Sequence, residues 1–217
     1  MTNFSQRRTM MVDTQVRPSD VTKFPIIDAM LTVPREKFVP ATLREAAYVG
    51  ENLVLGARRV ILEPRTLAKM LDALDISNED LVLDVGSALG YSSAVIAHIA
   101  EAVVAVEEQE DLAQEAQESL AGANADNVVM HVGPLTEGAA QHGPYDVIVV
   151  QGGIMELPES IEDQLKNGGR IACLFMQGVL GEVRIGRKQN NKISWRAAFN
   201  AGAPVIPGFE REDAFQL

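Results

Sequence analysis

The chain has 217 residues, 47% of them hydrophobic, and a formal net charge of −11. That is enough material for one sizeable core, with room for an extension. No uncharged apolar stretch approaches the roughly 18 residues needed to cross a bilayer, and "MTNFSQRRTMMVDTQ" lacks the apolar run of a secretory signal, so neither a membrane nor an export route is expected. The charge is uneven: residues 71–165 hold 19 acidic and no basic side chains. A segment with no Lys or Arg is a poor match for a phosphate backbone, so nucleic acid is not expected as a partner. The lone Cys173 cannot form an intrachain disulfide, in keeping with a reducing cytoplasm, and reads as a small buried apolar residue. His98, His131 and His142 are scattered without carboxylates or thiolates at ligand spacing, and no metal site is expected.

Along the chain, residues 21–48 read as short helical pieces divided by Pro34 and Pro40. "ENLVLGARRVILEP" reads as a loop with an apolar stretch stopped at Pro64. "RTLAKMLDALDI" spaces Leu67, Met70, Leu71 and Leu74 as one face of a helix. Strands and helices then alternate. "DLVLDVG", "AVVAVEE", "NVVMHVG", "YDVIVVQ" and "GRIACLF" are strands. "YSSAVIAHIA", "DLAQEAQESLAGA" and "PESIEDQLKNGG" are helices, with a weaker segment through "LTEGAAQHG". Near-continuous apolar strands separated by helices predict a parallel sheet covered on both faces. After residue 175 the alternating "GEVRIGRK" and "KISWRAAF", joined across "QNN", predict an antiparallel hairpin. The expectation is a single globular α/β unit with a Rossmann-like fold. Residues 1–65 form a helical extension and substrate loop, and 66–217 the ligand-binding domain.

The first strand-to-helix turn, "VLDVGSALG", is where open parallel sheets hold nucleotide-like ligands. A P-loop is excluded, because no lysine lies between residues 70 and 165. The dinucleotide spacing G-x-G-x-x-G fails twice. The pattern acidic-x-G-x-G-x-G places Asp84, Gly86, Ala88 and Gly90 and fails only at Ala88. That spacing characterises enzymes that use S-adenosylmethionine (SAM), which carries no phosphate but does carry an ammonium and a sulfonium. Glycine at 86 lets backbone approach the ligand, and Ser87 lies within the same turn. Glu107, closing "VVAVEE", stands where a carboxylate can accept from ribose hydroxyls.

These residues resemble the protein-L-isoaspartate O-methyltransferases over about residues 10–175. "MVDTQVRP" and "IIDAMLTVPREKFVP" are similar to the family's opening helices, and "LREAAYVGENLVLG" to the approach to its active-site loop. "LVLDVGSALGYSSAV" resembles its SAM turn, "VVAVEE" its ribose-binding strand, and "YDVIVVQGG" with "LPESIEDQLKNGGRI" its fourth strand and following helix. The resemblance implies SAM as cofactor, and methyl transfer to the side-chain-derived carboxylate of isoaspartyl residues in damaged proteins. It also implies that Ile61, Gly133 and Pro134 join Asp84, Gly86, Ser87, Ala88, Gly90 and Glu107 around the cofactor, with Arg58, Arg59, Val60 and Leu62 toward the substrate. Two positions depart from the family pattern. Where its loop reads T-I-S-Q-P this chain reads "VILEP", so Val60 and Leu62 replace two hydroxyls and Glu63 adds a negative charge. Where the third strand usually ends in Gly-Asp, the chain reads Gly133–Pro134. A guanidinium from Arg58 or Arg59 is then a candidate to hold the substrate carboxylate. The alternatives are a catalytically silent SAM-binding protein or a methyltransferase with another acceptor. The tail "AGAPVIPGFEREDAFQL" either closes over the pocket or hangs free.

Overall fold

The computed structural model describes residues 3–56 and 58–211. Its frame is a seven-stranded sheet of β3 (Leu81–Val85), β4 (Ala102–Glu107), β5 (Val128–Val132), β6 (Tyr145–Ile154), β7 (Leu165–Gln177), β8 (Leu180–Gln189) and β9 (Lys192–Ala201). The spatial order is β5-β4-β3-β6-β7-β8-β9. Strands β3 to β7 pair in parallel, and β8 and β9 add antiparallel. The chain winds outward from β3 through β4 to β5, then returns to place β6 on the other side of β3. The order therefore reverses beside the carboxyl end of β3, the position at which open α/β sheets take ligands. A separate two-stranded sheet pairs β1 (Leu53–Gly56) with β2 (Arg59–Ile61), where the sequence suggested only a loop.

The apolar strands serve two cores because successive side chains point to opposite faces. Val82, Val103, Val147 and Val149 face a larger cluster with α2 (Phe24–Thr32), α3 (Pro64–Leu74) and α4 (Tyr91–Ala97). Leu83, Val85, Val104, Ile148 and Val150 face a second cluster. Residues from α1 (Phe4–Met11) and the following turns to Val39 also belong to the first cluster, so the N-terminal segment shares the sheet's core. In α3, Leu67, Met70, Leu71 and Leu74 are all buried, as their spacing predicts. The expected helix over "PESIEDQLKNGG" is shorter, ending at Asp163 in α6 (Glu159–Asp163). The chain enters β7 at Leu165, because Leu165 pairs with Tyr145 at the start of β6.

Between β5 and β6 the chain makes only short 3₁₀ turns, Leu135–Glu137 and Ala140–His142. A sheet face left uncovered there would expose apolar side chains to water. The C-terminal segment fills the gap with Ile206 and Phe209, both fully buried in the second cluster. It lies along the end of β6: Gly153 N–H donates to Pro204 O at 2.9 Å, and Ile206 N–H to Gly153 O at 2.9 Å. Gly152 and Gly153 permit this approach, since a Cβ on Gly152 would stand 2.4 Å from Ile206 Cγ2. The tail thus closes over the sheet end as far as residue 211, and its last six residues lie outside the described part.

Candidate active site

The turn after β3 is built from backbone bonds to the neighbouring strand. The N–H groups of Gly86 and Ser87 both donate to Val106 O, at 2.9 and 3.1 Å, and Gly90 N–H donates to Ser87 O at 2.8 Å. Gly86 and Gly90 have φ of 79° and 87°, and Ala88, standing where the SAM spacing has its middle glycine, has φ of 51°. Left-handed backbone costs an alanine about 1–2 kcal/mol. The turn keeps its shape because Ala88 N–H donates to Glu107 Oε2 at 2.9 Å and the residue is buried.

Asp84 is fully buried at the end of β3. Its Oδ2 accepts from Ser92 and Ser93, each at 2.6 Å, and its Oδ1 from Gln151 Nε2 at 2.7 Å. Burial raises the pKa of this carboxyl, and the hydroxyl and amide donors pull it back toward the charged form. Asp84 therefore fastens the start of α4 to the end of β6 and so orders the turn. Ser92, Ser93 and Gln151 were not singled out by sequence; the available signal was three polar residues in otherwise apolar stretches.

Glu107 is likewise fully buried. Its Oε1 accepts from the backbone N–H groups of Glu108 at 3.0 Å and Gln109 at 3.2 Å, and Arg59 Nη2 donates to Oε2 in a buried ion pair. The guanidinium lies against the glycine turn: a Cβ on Gly86 would stand 2.9 Å from Arg59 Nη1. Arg59 is also fully buried, and neither its Nε nor its Nη1 has a hydrogen-bond partner among the described residues.

Arg58 and Arg59, both candidates by sequence to hold the substrate carboxylate, take different places. Arg59 is buried and lies across the turn on Glu107. Arg58, at φ 60°, instead points to the tail and forms an ion pair with Glu210. Val60 and Leu62, expected toward the substrate, are 1% and 2% exposed and belong to the larger core cluster with Ile61. Glu63 turns toward α3, accepting from Thr66 Oγ1 at 2.6 Å, while its N–H donates to Asn52 Oδ1 at 2.8 Å. At the end of β5, Gly133 N–H donates to Glu107 O at 3.1 Å, and Pro134 lies exposed before the 3₁₀ turn. The structure thus gathers Asp84, Gly86, Ser87, Ala88, Gly90, Glu107 and Arg59 at one point, with Gly133 beside them, and sends Arg58, Val60 and Leu62 elsewhere.

A glycine turn without a phosphate-binding lysine, placed at the reversal of strand order, and an acid at the next strand's tip together fit a Rossmann-like methyltransferase. The family model for protein-L-isoaspartate(D-aspartate) O-methyltransferase matches residues 6–199. The chain belongs to that family. It is 37% identical over 168 residues to a protein-L-isoaspartate O-methyltransferase of Methanoculleus marisnigri, covering 77% of this chain and 76% of the relative. It is 35% identical over 183 residues to protein-L-isoaspartate O-methyltransferase 2 of Pelobacter propionicus, covering 82% and 81%. Among solved structures, one protein-L-isoaspartate O-methyltransferase superposes with a TM-score of 0.80 at 22% identity, covering 93% of this chain and 66% of that longer one. Another, a putative family member from Plasmodium falciparum in complex with S-adenosyl-L-homocysteine, superposes with a TM-score of 0.79 at 20% identity, covering 95% and 99%.

Proposed function

We propose that the protein transfers a methyl group from SAM to the free carboxylate of isoaspartyl residues in damaged proteins. The observation that carries this reading is family membership over residues 6–199 together with a glycine turn and Glu107 held at the tip of adjacent parallel strands. The residues fit the cofactor in chemical type. Glu107 is held by backbone donors with its carboxylate directed over the turn, and the space over Gly86, which a Cβ would obstruct, is taken by the Arg59 guanidinium. When bound, SAM supplies an electrophilic methyl on a sulfonium.

Glu107 would accept the ribose hydroxyls once Arg59 yields its place. Gly86, Ser87 and Ala88 would bring backbone close to the ligand, with Asp84 fixing their positions through Ser92, Ser93 and Gln151. Ile61, Gly133 and Pro134 would border the same space. An isoaspartyl carboxylate is ionised at neutral pH and needs no strong base, so the chain's task is to align the reacting oxygen and exclude water. The β1–β2 hairpin and the tail packed on the end of β6 would provide that exclusion. Among the described residues no helix is long and apolar enough to cross a membrane. A cytoplasmic location and protein substrates are part of the same proposal, and the acidic central segment argues against nucleic acid as a partner. The test is a paired assay: an isoaspartyl peptide and its normal aspartyl twin are incubated with protein and SAM. Release of S-adenosylhomocysteine with the first alone supports the reading, and no release with either overturns it.

A further inference from the structure

We propose that Arg59 is a built-in occupant of the nucleoside site, a side-chain plug that closes the pocket until the β1–β2 hairpin withdraws it. The inference rests on the SAM-binding reading above. Its first support is position. The guanidinium sits on Glu107 Oε2 and against Gly86, the two features that would receive the ribose and the ligand's close approach. Both side chains are 0% exposed, so nothing else can share that space.

The second support is how poorly the plug is satisfied. A guanidinium presents five N–H donors, and a permanently buried one normally finds acceptors for them. Arg35, equally buried, donates from Nε to Ala47 O and from Nη2 to Leu62 O and leaves Nη1 alone unpartnered. Arg59 has Glu107 alone, with Nε and Nη1 unpartnered. The site supplies acceptors for something other than an arginine.

The third support is the element that carries it. β2 has three residues and, among the described residues, pairs only with β1, and the pairing is irregular between Val54 and Gly56. A two-stranded hairpin is marginal by itself, and this one is held to the body by the burial of Val60 and Ile61 in the larger core. This one is clasped to the tail, by Arg58 to Glu210 and by Asn52 Nδ2 donating to Gly202 O at 2.7 Å. Hairpin and tail thus form one cover over the sheet end, with Arg59 as its pin. Ligand affinity is then reduced by the fraction of molecules in which the pin is withdrawn.

The protein and its Arg59→Ala variant are titrated with S-adenosylhomocysteine by calorimetry. The variant is expected to bind at least tenfold more tightly. Equal or weaker binding by the variant overturns the plug and leaves the SAM reading standing, whereas absence of binding by both overturns the two together. Hydrogen exchange on the unmodified protein gives a second readout that needs no variant. Adding S-adenosylhomocysteine should speed exchange in residues 53–61 as Arg59 is expelled; slower exchange there overturns the proposal.

Discussion

Glu107→Gln isolates the buried ion pair at the centre of the site. Glu107 accepts from Arg59 and from the N–H groups of Ala88, Glu108 and Gln109, and both charged side chains are fully buried. Glutamine keeps the shape and one oxygen acceptor but removes the charge and turns donors toward donors. Breaking one side of such a pair leaves an uncompensated buried cation, at a cost of about 3–5 kcal/mol. In a protein of this size each kcal/mol moves Tm by about 2–4 °C, so a fall of roughly 6–20 °C is expected. Arg59→Met with Glu107→Gln removes both charges and should be more stable than Glu107→Gln alone, with a coupling of about 0.5–3 kcal/mol. Thermal unfolding by circular dichroism in ligand-free buffer measures the parent, Glu107→Gln, Arg59→Met and the double variant. A Glu107→Gln protein melting within about 2 °C of the parent, no more than the shift for about 1 kcal/mol, would refute the buried pair.

Other outcomes follow from the same geometry. Ala88→Gly relieves an unfavourable φ of 51°; the gain of about 1–2 kcal/mol is partly offset by about 0.4–1 kcal/mol of added unfolded-state entropy. The urea midpoint should rise or hold, and a clear fall would show that the alanine methyl contributes packing. Gln151→Leu removes a donor from Asp84, costing about 1–3 kcal/mol at neutral pH. Burial already raises the Asp84 pKa, and loss of a donor to the charged form raises it further. A carboxyl whose folded pKa is raised contributes stability at low pH that is lost as pH climbs through that pKa. The deficit of Gln151→Leu should therefore shrink on acidification, and a deficit independent of pH speaks against an ionised Asp84. Burial, and then the charge of Glu162, push the Cys173 thiol up, so it should resist a thiol reagent at pH 8 until denaturant is added. Prompt labelling of the native protein would contradict its place in the second core.

The sequence by itself determined the elements that depend on local pattern. Unbroken apolar runs marked strands β3, β4, β6 and β7 as buried on both faces, and the spacing of Leu67, Met70, Leu71 and Leu74 marked α3. The positions of Asp84, Gly86 and Glu107 marked a turn and a strand tip able to receive a SAM-like ligand. Pattern was silent wherever the outcome depended on which distant segments meet. Arg58 and Arg59 are adjacent and chemically alike, yet one turns to Glu210, 152 positions away, and the other enters the site 48 positions away. The bulge in the hairpin and the path of the tail choose between them, and neither leaves a local signature. The same holds for Ile206 and Phe209, which sit in a Pro- and Gly-rich stretch with no periodicity but fill the face that no helix covers between β5 and β6. A side chain's type is written in the chain; which partner satisfies it is settled only when the sheet brings the two together.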